Sequence, residues 1–397
     1  MSATGTTVLL RWATYAAVFV SGIVFIEPAP TDLLFFVVFG LVALHREAID
    51  LTGFGTMVIA SIAIFLLANG LSLMAAETYL KATGYLVVTI YMFVMFAFVA
   101  GWIGRHADEG YALLTRAFCS GAFVVGMIGI LARFRLMPRS EIFFLGEHAL
   151  RIKSTFKDPN VFAPYMVAAF MLVLNDAITA RRKVLNASAY GIVFLLSILF
   201  AFSRGAFFHL AVSLVVYMTA LLVLVRDPTI TKRLVLGSLI AGTAITAFGV
   251  YALAVTGLDG FLAERLSVQS YDTERFAMQA LTLEVSLEHP FGIGPGEWNV
   301  SRFPNDPHNV YLRVLAENGL LGAIGWILWC GCCAVAAMSG ILRRSESAPM
   351  YAAALAILLG LYAEAMIIDT LHWRHLFFVA GIPLGLGIAE RRHMVPA

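Results

Sequence analysis

The chain has 397 residues, of which 60% are hydrophobic and 13% charged, with a formal net charge of +2 and a mean hydropathy of +0.85. Soluble domains carry about 25% charged residues, so this composition excludes a soluble enzyme and a nucleic-acid binder. Long apolar runs without the alternation of barrel strands point to an all-α, polytopic integral membrane protein, one membrane domain over residues 1–397.

In chain order, about twelve transmembrane helices are expected, at about 8–26, 32–44, 52–70, 83–104, 111–133, 159–178, 187–203, 205–225, 234–256, 309–338, 350–368 and 375–390, with eleven or thirteen left open by the short second run and by the turn at Ser203-Arg204-Gly205 between the seventh and eighth. No small-residue cleavage site follows the first run, Val8 to Ile26, so it is expected to be a span and not a signal peptide. An even count puts both termini on one side. The connectors with Arg181-Arg182-Lys183, Arg226 with Lys232-Arg233, Arg343-Arg344 and Arg391-Arg392 fall on that side, which the positive-inside rule makes cytoplasmic. Two outer connectors are long, 135–158 and 257–308, and long connectors between trimmed turns are commonly functional. Within the second, Phe276, Ala280, Leu283 and Leu287 recur at helical spacing, which predicts an amphipathic helix on the membrane surface. Cys119, Cys330, Cys332 and Cys333 lie inside apolar runs and show no metal-site spacing.

The cations are placed unusually. Twelve Lys/Arg fall on the inner side and thirteen on the outer, ten of the latter being Arg, so the inward bias has vanished. Guanidinium grips phosphate through paired hydrogen bonds and stays charged, so a diphosphate is a natural outer ligand, although any single arginine can instead pair with a carboxylate or snorkel. Arg204 stands apart. It lies in Ala201-Phe202-Ser203-Arg204-Gly205-Ala206, among apolar residues, where an unpaired arginine costs at least ~2.5–3.5 kcal/mol.

The second long loop closes with His289-Pro290-Phe291-Gly292-Ile293-Gly294-Pro295-Gly296, then Pro307-His308-Asn309-Val310-Tyr311-Leu312 and Glu317-Asn318-Gly319. The glycine stretch lacks the strand and helix of a dinucleotide fold and reads as a turn. Asn309 is expected to cap the tenth span. A neutral His308 beside it can accept a hydroxyl proton near neutral pH, oriented by Asn309 or Glu317.

These segments, with Phe156-Lys157-Asp158-Pro159-Asn160-Val161-Phe162-Ala163 and Ser203-Arg204-Gly205-Ala206, together resemble the O-antigen ligase and polymerase superfamily over about residues 150–330. The resemblance implies a GT-C-type glycosyltransferase of the bacterial inner membrane that uses no nucleotide sugar, metal or cofactor. It implies transfer of a glycan from undecaprenyl diphosphate, at the periplasmic face, to lipid A core or a growing polysaccharide. The family's catalytic histidine falls on His308 and its intramembrane arginine on Arg204. Its second diphosphate arginine falls on Arg275, with Arg265 as runner-up. Lys157 is expected to touch phosphate or glycan, and Asp158 and Asn160 to shape the same cavity. Asn160, Arg151, Asn309, Tyr311 and Glu317 count among the residues around substrate.

Two other classes stay open at this point. Asp176, His209, Glu364, Asp369 and His372 lie in or beside spans, as in secondary transporters, yet no related halves are visible. A non-catalytic binder of a lipid diphosphate needs the arginines but not His308.

Overall fold

The computed structural model describes residues 3–44, 53–145, 151–237, 270–299 and 302–394. Most of the expected ninth span lies outside these residues, as does Arg265. The long helices are α1 (Ala3–Phe19), α2 (Pro30–Leu44), α3 (Thr56–Ser72), α4 (Tyr79–Arg133), α5 (Pro159–Ile178), α6 (Val184–Ala201), α7 (Arg204–Thr219), α8 (Ser270–Glu288), α9 (Val310–Leu342), α10 (Ala348–Glu364) and α11 (Arg374–Met394). Among the described residues six helical segments are long and apolar enough to cross a membrane: Thr56–Ala75, Tyr79–Arg133, Pro159–Ile178, Val184–Ala201, Arg204–Val225 and Val310–Leu342. Beside the helices there is one short antiparallel ribbon, β1 (Phe144–Leu145) with β2 (Arg151–Ile152), inside the 135–158 connector.

The two spans expected at 83–104 and 111–133 form the single element α4, whose 55 residues amount to about 80 Å of helix. One residue divides it. Ala107, with φ 48° and ψ −128°, breaks the helix inside the polar stretch Arg105 to Glu109, leaving on each side a piece long enough for one crossing. Helices α3, α4, α9 and α11 meet around a cluster of rings. Trp329 lies 5.3 Å from Phe93 and 5.1 Å from Phe377, and Trp326 lies 5.4 Å from Phe65. These buried rings supply large contact area where apolar burial gives little driving force between helices.

Helix α9 also breaks, at Gly319 with φ 69° and ψ −174°. The glycine-rich stretch before it fills the gap. Leu320 N–H donates to Pro290 O (3.0 Å), Ile293 N–H to Ala316 O (2.9 Å) and Gly294 N–H to Glu317 O (3.0 Å), so groups released by the break find partners in the loop. The predicted turn is thus a splint for α9. Gly292, with φ 87°, and Gly319 face each other there with no room for a Cβ on either.

Gly319→Ala is therefore expected to cost about 1–3 kcal/mol, from left-handed strain together with the collision, and to lower the melting temperature in detergent. Gly331→Ala, in the same helix with open space around it, is the control and should leave that temperature unchanged or raised.

Candidate active site

His308 sits at the foot of α9 in a left-handed conformation, φ 46°, sparsely used by residues other than glycine. Asn309 caps the helix as expected, its Oδ1 accepting from Tyr311 N–H (3.0 Å) and Leu312 N–H (3.2 Å). The imidazole is half-buried. Burial and the Arg275 guanidinium hold its pKa below the usual 6.5, against Asp306, Asp369 and Asp158, which pull it upward. It is therefore a neutral base at pH 7. The same charges report the company it keeps: Arg275 from α8, Asp158 from the start of α5, and Asp369 from the turn after α10.

The expectation that Asn309 or Glu317 orients His308 is corrected by this geometry. Asn309 is engaged in its cap. Glu317, fully buried, accepts from Gly296 N–H (2.9 Å), Trp298 N–H (3.1 Å) and Arg313 Nε (3.0 Å). It holds the glycine-rich loop.

Arg313, which sequence reasoning counted only as one more outer cation, is the centre of this frame. Besides Glu317 it donates to Asp369 Oδ2 (2.6 Å) and Trp298 O (3.2 Å), with Asp306 Oδ1 at 3.6 Å. Its guanidinium also lies over the Tyr85 ring, 5.7 Å from the centroid. The i,i+4 spacing of Arg313 and Glu317 was the available signal; the partnership with Asp369 is a tertiary contact. The loop is fastened a second time at Glu297, which accepts from Thr78 N–H (2.9 Å), the Thr78 hydroxyl and Arg302 Nη1 (3.2 Å). Burial works to raise the Glu297 carboxyl, and the hydrogen bonds from Thr78 and Arg302 outweigh it, leaving the pKa below its usual value.

Arg204 is the first residue of α7, behind the N-cap Ser203, whose hydroxyl accepts from Ala206 N–H (3.4 Å), and behind Phe202 at φ 47°. It is half-buried at the positive end of its helix. The α7 start and the α9 start dock on one place, the end of α10. Gly205 lies against Glu364, and Val310 N–H donates to Ala365 O (2.9 Å).

The remaining predicted residues form the neighbouring wall. Asp158 caps α5 through Asn160 N–H (2.6 Å). Arg151 donates to Asn160 Oδ1 (2.7 Å) and to Ala201 O (3.0 Å), strapping the ribbon to the start of α5 and the end of α6. Lys157 is exposed and pairs with Glu27 at 2.7 Å. Tyr311 donates to Tyr362 O (2.9 Å). Arg275 and His308 thus share one electrostatic neighbourhood, and the start of α7, which bears Arg204, docks on the same end of α10 as the start of α9. Cations near a neutral base are a combination suited to an anionic leaving group and a hydroxyl nucleophile.

Residues 189–327 match the family model described as O-Antigen ligase. This stretch contains Arg204, Arg275, the glycine-rich loop, His308 and Glu317. Over this stretch the chain is therefore similar to the O-antigen ligase domain of the O-antigen ligase and polymerase superfamily. Members of that family are glycosyltransferase-like ligases and polymerases, which supports enzyme activity on polysaccharide or lipid-linked substrates in a multi-pass bacterial membrane protein. No curated protein matches the chain.

Replacing Arg313 with Met leaves the buried Glu317 carboxylate and the half-buried Asp369 carboxylate without their cation. It is expected to destabilise the protein by about 3–5 kcal/mol, read as a large fall in melting temperature, and an unchanged melting temperature would contradict the role given to Arg313.

Proposed function

We propose that the protein moves a glycan from undecaprenyl diphosphate to a hydroxyl of lipid A core or of a growing polysaccharide. The site faces the periplasm, in a chain of the inner membrane with both termini cytoplasmic. The observation that carries this reading is the convergence of three distant segments, bearing Arg204, Arg275 and His308, at one end of the helix bundle.

In this reading His308 takes the proton of the acceptor hydroxyl as its oxygen attacks the sugar C1. The C1–O bond to the diphosphate breaks, the new glycosidic bond forms with inversion, and undecaprenyl diphosphate leaves with the electron pair. Arg204 and Arg275 stabilise the growing negative charge, which counts for more at a partly dehydrated site than in water. Lys157, exposed beside Asp158, is positioned to meet glycan or phosphate. Arg151, Asn160, Asn309 and Glu317 hold the walls. The reaction as written calls on no metal ion.

The electrostatics add a sequence of events. Before donor binds, burial and, to a lesser degree, Arg275 keep His308 neutral and weakly basic. A bound diphosphate cancels that cation, so the base strengthens only once donor is in place.

The test is transfer by purified protein from a defined undecaprenyl-diphosphate-linked glycan, with EDTA present and with lipid A core or a second lipid-linked glycan as acceptor. His308→Ala is expected to lower the rate by about 10²–10⁴-fold, and Arg204→Ala by about 10²–10³-fold. A folded Arg204→Ala protein with full activity would refute the role of the arginine. The acidic limb of kcat/KM, which reports the free enzyme, should lie below pH 6.5, the usual histidine value. The limb of kcat should lie higher, because it reports the donor complex. In Arg275→Gln the cation that depresses the histidine is gone, so the kcat/KM limb should move to higher pH. A limb that stays in place would show that Arg275 does not act on the group that titrates.

A further inference from the structure

Two buried ionisable side chains stand outside the chemistry above. Glu364 ends α10 and His209 lies in the second turn of α7; neither has measurable exposure. His209 Nδ1 is 3.0 Å from Glu364 Oε2, while Glu364 Oε1 and His209 Nε2 have no hydrogen-bond partner among the described residues. The free oxygen is aimed at the first turn of α7, where a Cβ built on Gly205 would stand 2.8 Å from it. One turn further back in α10, a Cβ on Gly360 would run into His209 and Ser213, and Ser213 donates to Ala356 O (3.0 Å). Helices α7 and α10 are therefore locked at two successive levels, and the upper level is polar.

One side chain thus touches positions 205 and 209, an i,i+4 pair on a single face of α7. Such a contact sets how the helix is rotated about its axis. Arg204, about 100° around the helix from Gly205, takes its direction from that rotation. The residue after Glu364 accepts the Val310 N–H at 2.9 Å, two positions beyond His308. A leucine would fill this buried space without leaving an oxygen unpaired, an arrangement native structures seldom keep.

We propose that Glu364, hydrogen-bonded to His209, is a positioning residue that fixes Arg204 relative to His308 for glycan transfer. The proposal rests on the roles given to those two residues above.

Two replacements separate positioning from mere packing. Glu364→Gln keeps the size, an acceptor for His209 and a polar atom facing Gly205; Glu364→Leu keeps the size alone. Steady-state transfer from undecaprenyl-diphosphate-linked glycan is expected to show Glu364→Gln near the parent protein. Glu364→Leu should lose about 100-fold in kcat, the scale of a misplaced catalytic group, with little change in donor KM. Should Glu364→Leu fail to fold by its melting temperature, Gly205→Ala serves in its place. Its new methyl presses on Oε1, so kcat should fall while the protein stays folded. Glu364→Leu, or Gly205→Ala in its stead, with the parent's kcat would overturn this proposal alone. A parent protein that transfers nothing to either acceptor would overturn the functional reading and this proposal together.

Discussion

A guanidinium withdrawn from water has to be matched by fixed charge, and Arg313 shows how much structure that requirement organises. Its five N–H donors bind Glu317 on its own helix, Asp369 after α10, and the Trp298 carbonyl of the long loop. Those three attachments bring α9, the α10–α11 turn and the glycine-rich loop to one point. Glu317 passes the constraint on to the Gly296 and Trp298 amides, and the loop in turn splints the break at Gly319. His308, five residues before Arg313, inherits its place from this frame.

The frame also sets the electrostatics of the site. Asp306 and Asp369, which flank Arg313, lie close enough to His308 to raise its pKa, yet burial and Arg275 prevail. A base that is neutral before substrate arrives suits a reaction whose leaving group brings its own negative charge. The ionisable residues that pointed to a transporter find local partners instead. His209 pairs with Glu364, Asp369 with Arg313, Asp176 with Arg182 at 3.6 Å, and His372 with the Thr89 hydroxyl at 2.9 Å. These contacts offset part of the cost of placing such groups in or beside a membrane, while Glu364 Oε1 and His209 Nε2 stay without a hydrogen-bond partner among the described residues.

The helical, membrane-crossing character of the chain was legible in the sequence because long apolar runs carry it, although six described segments, and not twelve, are long and apolar enough to cross a membrane. The cap of α9 was legible because Asn309 stands directly before such a run. The joining of two spans into α4 was not. A single residue, Ala107, makes the break, where a five-residue polar stretch reads as an ordinary connector. At the site, the residue types and their common end of the bundle could be read from Ser203-Arg204-Gly205 and His308-Asn309. The partners could not: Glu317 is nine residues from His308 in sequence but engaged with Arg313 and the loop, and Asp369 reaches Arg313 only through the fold. Phe276, Leu283 and Leu287 of α8 are exposed, as the spacing anticipated for a helix with one apolar face. Arg265 lies outside the described residues.

Arg204 and Arg275 hold one diphosphate in this account, with His308 on the acceptor's side, and the most direct measurement is a cryo-EM map of the protein with undecaprenyl diphosphate bound. The account predicts the diphosphate between the Arg204 and Arg275 guanidinium groups, with the His308 imidazole facing the side from which an acceptor hydroxyl approaches. A diphosphate held elsewhere, with either arginine turned away from it, would contradict the account.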